Sequence, residues 1–95
     1  MIGYHPRSID LSQAAIPAEI RSSLEELSEI VHDQWAATRM AEGWKLGPVL
    51  DAARKVHPSI VPYNELPEKE KDRDRNSVLA AVAALIEKGY EIRRV

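Results

Sequence analysis

Three side chains with the chemistry to hold a small molecule stand at helical spacing in the middle of the chain. His32, Trp35 and Arg39 follow the pattern i, i+3, i+7, which places them in one row along a helix. Trp44 follows shortly afterwards, and Tyr63 lies in a proline-rich segment with extended backbone. Together these five residues predict an aromatic slot that stacks against a flat ligand, with Arg39 and His32 at its mouth.

The same two tryptophans also fit a purely structural role. The chain has no phenylalanine, so Trp35 and Trp44 are its bulkiest apolar side chains. Aromatic side chains at helical spacing more often pack in a core than bind a ligand. Spacing alone therefore favours the packing interpretation, and the binding slot is the alternative.

The sequence predicts no catalytic site and no metal site. His5, His32 and His57 lie in different segments, and none belongs to an HExxH motif or a glycine-rich phosphate loop. His32 and Asp33 point about 100° apart on a helix, so they do not form a catalytic pair, and His32 is better interpreted as a core or capping histidine. The chain has no cysteine, which excludes thiol nucleophiles and thiolate metal ligands. We therefore expect a protein that is not an enzyme and that uses no cofactor.

Two helices with clear boundaries must position these residues. The segment 17–42 has Pro17 at its first helical position and stops before Gly43, and the segment 67–88 begins at Pro67 and stops before Gly89. Apolar residues recur at helical spacing in both segments, so we expect the two apolar faces to pack together. The face of the first helix comprises Ile20, Leu24, Leu27, Val31, Trp35 and Thr38, and that of the last comprises Val78, Leu79, Val82, Leu85 and Ile86.

The rest of the chain has no helical period. Residues 1–16 predict an extended arm that lies on the domain, and residues 43–66 predict an irregular, Pro-rich connecting segment because each proline pushes its neighbour toward extended geometry. Residues 90–94 alternate apolar and polar positions, which is typical of a short strand. The predicted fold of residues 1–95 is thus one mainly α domain (α+β minor), with two longer helices packed together.

Composition and charge exclude several classes of partner. The formal net charge is −2 and the pI is about 5.9, so a nucleic-acid partner held through its phosphates is disfavoured. The longest apolar run is far shorter than the roughly 20 residues that span a bilayer, so we expect a cytoplasmic protein without membrane contact. In residues 68–75 acids and bases alternate and nearly cancel, which predicts a solvent-exposed first part of the last helix.

A series of short motifs runs through residues 32–90 in a fixed order. The stretch VHDQWAATRMAEGWKLGPVLDAARKVHPSIVPYNELPEKEKDRDR and the later LIEKGYEI resemble the ryanodine receptor repeat, the RyR domain, which occurs in pairs in those channels and as a stand-alone module in bacteria. The loop departs from that family at Leu46, Leu50 and Ala52, where the family tends toward an aromatic, an arginine and an acid. The matching pieces are His32, Trp35, Arg39, Gly43-Trp44, Gly47-Pro48, His57-Pro58, Val61-Pro62-Tyr63, Leu66-Pro67, Asp74-Arg75 and Gly89-Tyr90.

The resemblance implies a mainly helical module that is not itself a channel. In the receptors such modules lie in the cytoplasmic part and act as interaction and ligand-sensing elements, with a nucleotide-like ligand implied for the family. We therefore expect a domain that binds a purine-nucleotide-like small molecule. The alternative is a protein-interaction module that pairs with another chain or with a second copy, as a homodimer mimicking tandem repeats. In the first case the ligand-binding residues are Trp35, Arg39, Trp44, Tyr63 and His32.

Overall fold

Three helices and one small sheet make up the domain. The computed structural model describes residues 3–95, so Met1 and Ile2 of the predicted arm lie outside the described part. The longer helices α2 and α3 pack against each other, which confirms a mainly α fold with minor β structure. The elements are α1 (Ala18–Ser22), α2 (Leu24–Ala41), strand β1 (Lys45–Leu46), strand β2 (Val56–His57), a 3-10 turn (Tyr63–Glu65) and α3 (Glu68–Glu87).

The helix predicted over 17–42 is in fact two helices separated at Ser23. The Ser22 hydroxyl donates to the Glu19 carbonyl at 2.9 Å, so it competes with the backbone for a helical acceptor. Ser23 leaves helical geometry at φ −100° and ψ 9°, and its N–H bonds to the carbonyls of Glu19 and Ile20. The chain turns there and α2 begins at Leu24.

The strand predicted over 90–94 is wrong. Residues 90–94 have no regular secondary structure. The two strands lie instead in the connecting segment, where Lys45 pairs with Val56 and Leu46 with His57 in parallel. This pairing closes the loop of residues 46–56 and carries His57 toward α2.

The buried face of α2 is rotated relative to the predicted apolar stripe. Ser28 is fully buried and His32 is only 3% exposed, whereas Val31 is 36% exposed. A polar side chain can occupy the centre of the helix interface when its hydrogen bonds are made there, and His32 bonds to the backbone of the connecting segment. The apolar pattern alone therefore misplaced the interface by part of a turn.

The arm of residues 3–16 supplies part of the hydrophobic core. Ile16 is buried with Leu79 and Ala83 of α3, and the small Ala83 side chain leaves room for it. The Arg7 guanidinium pairs with Glu87 at 2.9 Å. The backbone hydrogen bonds between residues of the arm are local, and a turn spans residues 11–14. Side chains therefore hold the arm on α3.

One face of the charged run is directed inward. The sequence predicts a mainly solvent-exposed run, with Arg75 as the residue that could reach inward because it belongs to the Asp74-Arg75 pair that matches the RyR family. Arg75 is 21% exposed in its side chain and donates two hydrogen bonds to Glu25 of α2, at 2.6 and 2.7 Å. It also bonds to Glu68 and Asp72 at 2.9 and 2.7 Å. The Arg75 hydrogen bonds hold the pKa values of Glu25 and Glu68 below their ordinary values. This network ties the start of α3 to α2.

The domain is a flattened body of 45 × 43 × 23 Å. Within residues 3–95, the helices are all too short or too polar to cross a bilayer. In so thin a body, most side chains reach the surface and few are fully enclosed.

Candidate functional site

A cleft of about 250 Å³ opens between α2 and α3. Helix α2 contributes one wall, α3 contributes the opposite wall, and the segment that follows β2 closes the end. The cleft is thus aromatic on one side and charged on the other. Its lining residues are His32, Trp35, His57, Ser59, Leu66, Glu70, Arg73 and Asp74.

The aromatic wall is a continuous cluster of rings. Trp35 stacks on His32, with ring centroids 5.7 Å apart and planes at 28°, and meets the edge of His57 at 4.9 Å and 77°. Trp44 lies 6.2 Å from His57. The Arg39 guanidinium lies 5.2 Å from the Trp44 ring and 6.0 Å from the Trp35 ring. Four residues of the predicted slot, His32, Trp35, Arg39 and Trp44, are therefore brought together, although Arg39 and Trp44 stand beside the cleft rather than in its lining.

Tyr63, the fifth predicted residue, lies in the core. It is 5% exposed, its ring centroid is 6.3 Å from that of His32, and its hydroxyl donates to Glu25 at 3.1 Å. Burial raises the pKa of Tyr63, and the Glu25 carboxylate raises it further. The ring supports His32 from the core side and does not line the cleft.

His32 combines a structural role with a position on the cleft wall. Its Nε2 atom lies 2.6 Å from the carbonyl oxygen of Val61, so Nε2 must carry a hydrogen and donate it. This bond ties α2 to the connecting segment and fixes the imidazole ring. The remaining nitrogen, Nδ1, faces Asp74 across 3.9 Å.

The polar part of the cleft was not predicted from the sequence. Glu70 accepts a hydrogen bond from the Ser59 hydroxyl at 2.7 Å, and the Ser59 N–H donates to Nδ1 of His57 at 3.0 Å. Glu70, Arg73 and Asp74 are spaced i, i+3, i+4, which places them on one face of α3. That spacing was the available signal, and it was missed because all of the charged run except Arg75 was assigned to solvent.

Charge is distributed unevenly over the cleft. The Asp74 side chain is 20% exposed, and burial raises its pKa while the nearby His32 opposes that shift. The Arg73 side chain is exposed and forms no ion pair with any residue of 3–95. Carboxylates therefore lie inside and a guanidinium lies at the rim. Across the same described residues, no cluster of three or more histidine or acidic side chains is arranged to hold a metal ion.

A family model matches nearly the whole of this chain. The model is that of the RyR domain, and it matches residues 4–94. The matched region includes both long helices, the small sheet and every residue that lines the cleft. The chain therefore belongs to the RyR domain family.

Proposed function

We propose that this RyR domain is a non-catalytic module that binds a small nucleotide-like molecule in the cleft between α2 and α3. The observation that supports this proposal is the juxtaposition of the Trp35 and His57 rings with hydrogen-bonding and charged groups in one concave site. Binding sites for small molecules are typically concave, with apolar walls and a few polar groups that fix orientation.

The size and charge of the cleft suggest how such a ligand lies. A volume of about 250 Å³ is slightly below the roughly 300–1,000 Å³ of typical ligand pockets, so it suits a single base with the rest of the ligand outside. A base stacks well on an aromatic ring. A phosphate would be repelled by Glu70 and Asp74 and attracted by Arg73 and Arg39, so it belongs at the rim. The ligand thus enters with its base first.

Loss of Arg39 is expected to weaken AMP binding. Arg39 stands over Trp44 and Trp35 with its side chain 41% exposed, and its ion pair with Glu42 is also exposed, so its guanidinium can bond to a phosphate at the rim. We expect Arg39→Ala to raise the Kd for AMP at least about tenfold in isothermal titration calorimetry, the equivalent of one charge-assisted hydrogen bond. Arg54→Ala, which removes an exposed guanidinium from the loop of residues 46–56, is the control and should bind as the parent does.

The proposal fails if the parent protein does not bind AMP at millimolar concentration. It also fails in its assignment of Arg39 if the Arg39→Ala protein, folded by circular dichroism, binds AMP as tightly as the parent. The parent and Arg39→Ala proteins should unfold at similar temperatures, since the contacts of Arg39 with Glu42, Trp35 and Trp44 are made by a side chain that is 41% exposed.

A second candidate function is association with a second copy of the chain. Leu46, Val49 and Leu50 are 56%, 70% and 57% exposed in a single loop, which is unusual for a surface that meets only water. Asp51 pairs with Arg54 at 3.7 Å, which leaves Lys55 as the one uncompensated charge of the loop, so an identical loop is repelled only weakly.

Hydrogen bonds and close packing also hold the backbone of this loop in place, which favours association of its exposed side chains with a partner. Asp51 and Val56 exchange two backbone hydrogen bonds, of 2.9 and 3.0 Å, and the Lys55 ammonium donates to the Glu42 carbonyl at 2.7 Å. A Cβ atom at Gly47 would collide with Val56, which shows how closely the loop is packed at its base. The exposed apolar side chains are therefore presented on a held backbone, which lowers the entropic cost of association.

If this second candidate is right, the parent protein is expected to dimerise in sedimentation equilibrium experiments. Leu50→Asp should then raise the dimer dissociation constant at least about tenfold, because a charge would be buried without a partner. Ile30→Asp, at a 64% exposed position on α2, is the matched control and should not change the dimer. A parent protein that stays monomeric at millimolar concentration would exclude the second candidate.

A further inference from the structure

Two hydrogen-bond acceptors face each other inside the cleft. Nε2 of His32 donates to the Val61 carbonyl, so in the neutral form of the ring, which the inference below requires, Nδ1 carries a lone pair. The Asp74 carboxylate oxygen Oδ2 lies 3.9 Å from this Nδ1, which is beyond hydrogen-bond distance. Among residues 3–95, no donor forms a hydrogen bond with the Asp74 carboxylate.

His32 is buried and Asp74 is only partly exposed, so hydrogen-bonding groups left without partners here are costly. The His32 side chain is 4% exposed and that of Asp74 is 20% exposed. Acceptors removed from water lose hydrogen bonds that the protein must replace. Within residues 3–95, the other groups that line the cleft form no hydrogen bond with this pair: the Ser59 hydroxyl is bonded to Glu70, and Arg73 is exposed. Burial also raises the pKa of Asp74, because a carboxylate removed from water is disfavoured in its charged form.

We infer that His32 Nδ1 and Asp74 Oδ2 together accept an amino group of the ligand, with one N–H donated to each. The inference rests on the proposed function and specifies its ligand class, an amino-substituted heteroaromatic base. A gap of 3.9 Å is too long for a direct bond between the two groups and short enough for one nitrogen to reach both. The ring of the same ligand lies beside Trp35 and His57, which form the adjoining wall.

The acceptor pair discriminates between bases that differ in one substituent. An amino group satisfies both acceptors, a hydrogen in its place leaves both unpaired, and an oxo group adds a third acceptor that is repelled by the other two. A site built to bond a donor rejects analogues that lack it, because its own buried polar groups are then left without partners. The base with the amino group is therefore expected to bind more tightly than the bases with a hydrogen or an oxo group in its place.

Adenosine and purine riboside provide the test, because they differ only in the presence of the amino group. In isothermal titration calorimetry at neutral pH, adenosine is expected to bind the parent protein at least about tenfold more tightly than purine riboside. In Asp74→Ala the two ligands should bind with dissociation constants that differ by no more than about twofold, since one of the two acceptors is gone. Asp33→Ala, which removes an exposed acid from α2 beside His32, should keep the parent ratio.

A second variant keeps the test decisive if Asp74→Ala does not fold. Asp74→Asn preserves the shape of the side chain and replaces one acceptor oxygen by a donor, so it should raise the affinity for inosine, whose oxo group accepts, relative to adenosine. An unchanged ratio in either folded variant, or equal binding of adenosine and purine riboside to the parent, overturns the inference while the proposed function stands. If adenosine, purine riboside and AMP all fail to bind, the proposed function is wrong and the inference falls with it.

Discussion

Leu79→Ala is expected to lower the free energy of unfolding by about 2–5 kcal/mol, the range found when a large buried aliphatic side chain is truncated. Leu79 is 8% exposed and packs with Ile16 of the arm and Ala83 of its own helix. Truncation would leave a cavity between α3 and the arm that neither element can readily fill, because Ala83 is already small. For a domain of this size, with a total stability of about 5–15 kcal/mol, such a loss is a large part of the whole.

Leu85→Ala on the same helix is the matched control. Leu85 is 44% exposed, so its truncation should cost less than about 1 kcal/mol, in keeping with a side chain that stays largely in water. Urea denaturation followed by circular dichroism measures both values. Equal losses for the two variants would show that α3 presents a different face to the arm from the one described.

Tyr63→Ala is expected to cost about 3–5 kcal/mol, as for other buried aromatic side chains. The ring is 5% exposed and supports the buried His32, so its removal opens a cavity directly behind the cleft. Tyr63→Phe keeps the ring and loses only the hydrogen bond to Glu25, so the loss of stability should be much smaller.

AMP binding separates a supporting role of Tyr63 from a role in the cleft wall. Tyr63→Phe should bind AMP with the affinity of the parent, because the hydroxyl points to Glu25 and not into the cleft. Thermal unfolding and titration calorimetry on the same sample give both quantities. A Tyr63→Phe protein that is stable but binds AMP poorly would place the hydroxyl in the binding site after all.

The C-terminal ends of both long helices and the start of α3 were predictable because local chemistry determines them. Gly43 and Gly89 have φ values of 94° and 95°, a left-handed geometry that glycine adopts without strain, and each follows the helix end where the sequence indicated a stop. Pro67 directly precedes α3, again because proline suits a helix start. These signals depend on a few neighbouring residues, so they can be recognised without knowledge of the tertiary structure.

The interface of α2 and the charged wall of the cleft depend on distant partners. His32 is buried because the Val61 carbonyl accepts its hydrogen bond from 29 positions away, and a count of apolar residues cannot register that contact. Arg75 is directed inward because it bonds to Glu25, which lies 50 positions earlier in the chain. Alternating charge correctly indicates a helix surface, but it does not distinguish water from a cleft as the neighbour of that surface. The aromatic cluster was easier to predict from the sequence, since Trp35 and Arg39 lie on one helix.

The arm that packs on α3 also determines the order in which the domain can form during synthesis. Arg7 and Glu87 are 80 positions apart, so the ribosome produces the arm long before the surface that the arm covers. Until α3 emerges, Ile9, Leu11 and Ile16 have no completed core to join. Closure of so long a loop is slow compared with local helix formation. The nascent chain therefore holds the apolar side chains of its arm exposed until α3 has left the exit tunnel.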